Sequence, residues 1–150
     1  RNAMSITTGV TAVATMRAIV RTPASELPAK QLIARLHDPT TWSTWLAGVA
    51  VDRVLVENDV RVELRLKLDG PREFLIDVEF VRVENGIRFT LLEGPMRTLG
   101  GDVTVLSEPR EVLWQFYFSG LTTIPTVLAN ELAERVIPTW GNALDMRSGT

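Results

Sequence analysis

A single histidine, His37, stands beside Asp38, so any imidazole chemistry in this chain falls to one ring. That count excludes a histidine-built metal cluster, and a nucleophile paired with histidine would need this residue or none. At the end of an apolar-periodic segment it reads most simply as a solvated helix C-cap. The carboxylates occupy the polar positions of alternating stretches, without the spacing of a calcium loop or an HExxH helix, so no metal ligands are expected. Gly94, Gly100 and Gly101 lack the lysine and the strand-to-helix setting of a phosphate cradle, and read as turn and bulge residues. Proton transfer needs a carboxylate, His, Lys or Tyr within reach of a substrate. Period-two counting turns Gln115 and Tyr117 away from the face of Trp114 and Phe116, leaving Asn130, Asn142, Thr122 and Thr123 as the polar groups near an otherwise apolar interior. No catalytic residue and no cofactor are assigned.

The elements that would position these groups are legible from periodicity. Val60, Val62, Leu64, Leu66 and Leu68 alternate with Arg61, Glu63, Arg65 and Lys67, the mark of an antiparallel strand with one oily face and one wet one. Phe74, Ile76, Val78 and Phe80 repeat the pattern, as do Val112, Trp114, Phe116 and Phe118. Turn signals at Asn58-Asp59, Asp69-Gly70-Pro71, Asn85-Gly86, Gly94-Pro95 and Glu108-Pro109 divide a meander into strands near 49–57, 59–69, 72–82, 86–93, 98–106 and 111–119. A first strand is expected over about 11–21, stopped by Thr22-Pro23. Ser25 is read as the cap of a helix carrying Leu27, Leu32, Ile33 and Leu36. A second short helix begins at Asp38-Pro39 and places Trp42 and Trp45 on one face. After Gly120, Val127, Leu128, Leu132, Val136 and Trp140 fall at helical spacing. They predict one long helix from about Pro125, bent by Pro138. The expected class is α+β: a curved seven-stranded antiparallel sheet wrapped on a long C-terminal helix, with two short helices between strands 1 and 2.

Composition narrows the partners. The 150 residues carry 16 Lys and Arg against 18 Asp and Glu, a net charge of −2, so no basic field draws a phosphate backbone and nucleic acid is not expected. Arg61, Arg65, Lys67 and Arg88 are interleaved with Glu63, Glu73 and Asp77, which reads as a solvated mixed-charge face. There is no cysteine, and no apolar run near the roughly 20 residues of a membrane span; a cytoplasmic protein without an integral membrane segment is expected. Met4 reads as the natural start, with Arg1 to Ala3 a cloning remnant and the residues to about 7 a flexible tail of one domain spanning 1–150.

Three stretches carry a family resemblance: Asp38-Pro39 followed by Trp42 and Trp45-Leu46; Glu93-Gly94-Pro95-Met96-Arg97-Thr98-Leu99-Gly100-Gly101; and the ending from Leu128 to Arg147. Together with the element order they resemble the START-like (SRPBCC, helix-grip) superfamily, and within it the polyketide cyclase/dehydrase and coenzyme Q-binding branch. Met96 replaces the usual Phe, and Asp102-Val103-Thr104 stands where a Trp commonly follows the Gly. The resemblance implies an apolar cavity between sheet and closing helix that holds a lipid, quinone or polyketide-like molecule. The wall expected for it is Trp45, Leu64, Leu66, Phe74, Ile76, Phe89, Met96, Trp114, Phe116, Leu128, Leu132, Val136 and Trp140. Such aromatic and aliphatic side chains are equally the material of a filled core. Two alternatives stand beside the binding module: a polyketide cyclase or aromatase that folds its substrate by shape, and an interaction protein like the ribosome-associated members of the branch.

Overall fold

A computed structural model of the chain describes residues 5–6, 14–69, 73–119 and 130–146. Strands β1 (Ser5–Ile6), β2 (Ala14–Pro23), β3 (Val49–Glu57), β4 (Arg61–Leu68), β5 (Phe74–Val83), β6 (Gly86–Glu93), β7 (Thr98–Ser107) and β8 (Arg110–Ser119) form one antiparallel sheet in the order β1-β2-β8-β7-β6-β5-β4-β3. The seven long strands are those the alternation predicts. The eighth is a two-residue pairing of Ser5 and Ile6 with Thr15 and Ala14, in a stretch expected to be a tail. β2 runs on through Thr22 and Pro23 to pair with Val112 and Glu111, past the stop expected at those residues. A proline is tolerated there because it is the last residue of a strand whose described outer neighbour reaches only residues 14 and 15.

Between β2 and β3 lie helix α1 (Ala29–Leu36) and a 3₁₀ turn (Pro39–Thr44). Three residues per turn eclipse positions i and i+3, which brings the rings of Trp42 and Trp45 to 5.6 Å between centroids. Ser25 does not cap α1. The N-cap is Pro28, which makes no side-chain cap bond. The amides of Glu26 and Leu27 instead donate to the two oxygens of Asp145, 3.0 and 2.9 Å away, from the far end of the chain.

The closing segment is helical from residue 130 to 144, ending in α2 (Ile137–Leu144); its expected beginning near Pro125 lies outside the described residues. Pro138 is absorbed rather than left to break the ladder. Leu132–Val136 form a π segment in which the amide of Ile137 donates to the carbonyl of Leu132, widening the turn just ahead of the proline ring. The hydroxyl of Thr139 donates to the carbonyl of Arg135 at 2.8 Å.

One face of the sheet is sealed beneath these helices. Val62, Leu64, Ile76, Val78, Phe80, Ile87, Val103, Val112 and Trp114 are buried on it. The other face carries charge. Arg65 lies opposite Asp77 and donates to both its oxygens at 2.8 and 3.1 Å, while Arg61 reaches both Glu63 and Glu79, a like-charged pair in register across β4 and β5. Strand β3 forms the open end of the sheet, with register shifts between Val51 and Arg53 and between Val54 and Val56. Bulges of this kind curl the strand and spoil it as a template for another chain.

Hydrogen bonding from Arg65 holds the Asp77 carboxyl below the usual carboxylate range. A group lowered in this way favours the folded state above its unfolded value, and that contribution fades as pH falls through the folded one. In a carbon-detected NMR titration, Asp77 is expected to titrate below the ordinary carboxylate range, and Arg65→Gln to move it back up.

Candidate ligand-binding site

The concave face is crossed by a continuous run of aromatic contacts. From Trp45 the run passes to Trp42 and on to Phe80 at 5.1 Å between ring centroids. It continues to Phe89 at 6.5 Å, Phe116 at 5.0 Å, Trp140 at 6.2 Å and Trp114 at 6.4 Å. These separations lie in the range of favourable tilted and edge-to-face pairs. Three strands, the 3₁₀ turn and the closing helix contribute to it, with Phe89 and Phe116 flanking Gly101 in register on β6 and β8. Gly101 has φ of 150°, and a Cβ there would collide with the carbonyl of Gln115. The bare position on β7 lets the β8 backbone come close there. Gly100 and Gly101 therefore sit inside a continuous strand rather than at the turn and bulge expected of them, and only Gly94 lies in a bend.

The helix that covers this face is seated at one end. Ile137, Gly141 and Leu144 are buried, and a Cβ on Gly141 would fall within the van der Waals envelope of the Thr22 side chain. Thr22 in turn accepts a hydrogen bond from Nε1 of Trp114 at 2.9 Å. Arg35 closes the same end, donating to the carbonyls of Leu144 and Met146 beside the Asp145 carboxylate that holds Glu26 and Leu27. Burial pushes the Arg35 guanidinium down, with Asp145 opposing the shift. At the other end no residue of Leu132–Val136 is buried. The helix is tight against the sheet around Gly141 and stands less covered towards residue 132.

The expected wall residues divide along that gradient. Leu64, Leu66, Ile76, Phe89 and Trp114 are buried in the core; Trp45, Phe74, Phe116, Leu132 and Trp140 pack against it while keeping part of their surface accessible. Val136 is half-buried on the π segment, and Met96 is half-buried in the bend at 94–97. Leu128 lies outside the described residues, as do Thr122 and Thr123.

Trp42 and Phe80, central links of the aromatic run, were not picked out as wall residues by sequence. The i to i+3 pairing of Trp42 with Trp45 and the alternation ending at Phe80 were the available signals, but neither shows that the two rings meet.

The groups with acid–base capacity lie elsewhere. His37 is the C-cap of α1 as expected, but its ring is not solvated: Nε2 lies 2.8 Å from the carbonyls of both Val83 and Gly86, so it carries the proton and donates into the β5–β6 hairpin as a staple. Arg82 ties the same junction from the other side by donating to the His37 carbonyl at 2.6 Å. Asp38 is exposed and accepts from the Thr40 hydroxyl at 2.8 Å. Tyr117 lies on the outer face, 41% exposed, where its ring covers Gly100. An open depression of about 200 Å³ on that outer face is lined by Arg17, Ile19, Gly101, Asp102, Gln115, Phe116 and Tyr117. Among the described residues no three His, Cys, Asp or Glu side chains gather as metal ligands, and no helix is long and apolar enough to cross a membrane.

Replacing Asp145 with Ala removes the acceptor from two amides at once. With roughly 1–3 kcal/mol for a buried donor left unpaired, the variant should lose about 2–4 kcal/mol in urea unfolding. Gly141→Ala should lower the melting temperature by forcing the helix off Thr22, at a cost of about 1–3 kcal/mol.

No protein-family model matches the chain, and no curated protein matches it. Solved structures do. TTHA0849 from Thermus thermophilus superimposes with a TM-score of 0.68 at 20% identity, over 87% of this chain and 94% of that one. The Zhui aromatase/cyclase from Streptomyces sp. R1128 gives 0.61 at 16% identity, over 89% of each chain. A STAR-related lipid transfer protein from Xanthomonas axonopodis gives 0.55 at 19% identity, over 95% and 96%. At these identities the likeness concerns architecture, and it agrees with the strand order, the curved sheet and the closing helix described above: the chain has the helix-grip fold.

Proposed function

We propose that this protein is a binding module of the polyketide cyclase/dehydrase and coenzyme Q-binding branch of helix-grip proteins. In this reading it holds a lipid, quinone or polyketide-like molecule between sheet and closing helix, in the cytoplasm. The observation that carries the reading is the aromatic run on the concave face, of which Trp45, Phe116 and Trp140 keep apolar surface that the chain's own packing does not consume, as does Leu132 on the less covered half of the helix. Burying such surface under a guest releases water at roughly 25 cal/mol per Å². The wall proposed is the set of residues expected from sequence, with Trp45, Phe74, Phe116, Leu132, Val136 and Trp140 as its accessible part and Leu64, Leu66, Ile76, Phe89 and Trp114 as backing. Met96 and Leu128 are proposed to complete it.

Fold neighbours named as an aromatase/cyclase and as a lipid transfer protein support an apolar guest. Proton-transfer chemistry draws less support, because His37 is spent on two backbone carbonyls, Asp38 is solvated and Tyr117 lies on the outer face. Containment without a resident acid or base is what a carrier needs.

Native mass spectrometry of the purified protein, followed by calorimetric titration with fatty acids and quinones, is expected to show one bound molecule per chain. Phe116→Ala and Trp140→Ala should each weaken binding by roughly 5–30-fold, the loss of one ring's contact and burial. Protein that is always empty and binds neither class would overturn the reading.

A further inference from the structure

We propose that the guest carries an uncharged acceptor oxygen, a carbonyl above all, that takes a hydrogen bond from Nε1 of Trp45. The proposal rests on the binding reading and adds what the guest must offer.

Indole N–H groups are donors only, and buried ones find partners. Three of the four here do so. Trp42 donates to the carbonyl of Arg35 at 3.0 Å, Trp114 to the hydroxyl of Thr22 at 2.9 Å, and Trp140 to the carbonyl of Ala47 at 3.3 Å. Nε1 of Trp45 is buried and has no partner among the described residues. A buried donor without an acceptor is a standing cost that a phenyl ring of similar reach would not carry.

The position of this donor gives the cost a use. Trp45 is the terminal ring of the aromatic run and, like Phe116 and Trp140, keeps part of its surface accessible; Trp140 reaches the carbonyl of Ala47, two residues from it, so a flat guest seated on the accessible rings would bring one end to Trp45. The guanidinium of Arg35 sits 6.0 Å from the centre of the Trp45 ring. Its charge is already answered by Asp145 and by the carbonyls of Leu144 and Met146. A ligand carboxylate here would meet the field of Asp145 without a cation left to pair with. A neutral oxygen meets only the N–H.

Fluorenone and fluorene test this directly, being planar and nearly equal in size and differing by a carbonyl against a methylene. Equilibrium dialysis against wild type should show fluorenone held roughly five-fold more tightly than fluorene, after correction for their partition between water and octanol, as one net hydrogen bond supplies. Trp45→Phe should abolish that preference, lowering fluorenone affinity roughly five-fold more than it lowers fluorene affinity. A second measurement does not depend on the variant folding. In ¹H–¹⁵N spectra of wild type, the Trp45 indole resonance should move downfield with fluorenone and not with fluorene.

If both compounds bind with a ratio that ignores Trp45, or the indole resonance behaves alike with both, the hydrogen bond is refuted and the binding reading stands. If wild type binds fatty acids or quinones but neither probe, this proposal fails alone; if it binds none of them, the binding reading fails with it.

Discussion

The contact of Gly141 with Thr22 sets the distance between helix and sheet, and most of the interior follows from it. A helix can approach a sheet this closely only where it has no side chain, and Gly141 supplies that place beneath the last turns of α2. The same threonine accepts from Trp114, so the contact fixes both the helix and the ring beside it. Asp145 and Arg35 then fasten the helix end to the loop before α1 and to α1 itself. With one end pinned, the π segment at Leu132–Val136 widens the helix where it must pass Pro138, and its residues are left without full burial. The helix is therefore sealed at one end and only half-buried at the other.

Polar groups are distributed in keeping with that arrangement. Charges lie on the outer face, where Arg65 pairs with Asp77 and Arg61 bridges Glu63 and Glu79, or at the ends of elements, where His37, Arg82 and Asp145 bind backbone groups. The concave face receives rings and branched aliphatics, with indole N–H groups turned to carbonyls and a hydroxyl. Burying an unpaired polar group is costly, so a face built this way suits an apolar guest and penalises a charged one. The unpaired N–H of Trp45 is the departure from that rule, and departures of this kind concentrate where proteins meet ligands.

Gly101 shows how one residue serves fold and site together. Its missing side chain lets the β8 backbone come close, which no other residue allows without a shift of the strand, and it stands in register between Phe89 and Phe116, whose rings are 5.0 Å apart.

The sequence by itself determined the seven long strands and the facing of the sheet, because alternation with period two and turn residues at fixed offsets are local signals. Val62, Leu64 and Leu66 had to face inward once Arg61, Glu63 and Arg65 faced water. It also determined that Trp42 and Trp45 would touch, since they lie three residues apart on one turn. The tertiary structure alone decided what depends on residues distant along the chain. Asp145 is 118 residues from the Leu27 amide it accepts from, and Ser25, the obvious local cap, makes no such bond. His37 reads locally as a helix end, yet its ring finds two carbonyls of a hairpin some fifty residues on. Which rings are sealed and which stay accessible was equally hidden, because side-chain identity does not give the spacing of helix from sheet. That spacing comes from a glycine meeting a threonine across the fold.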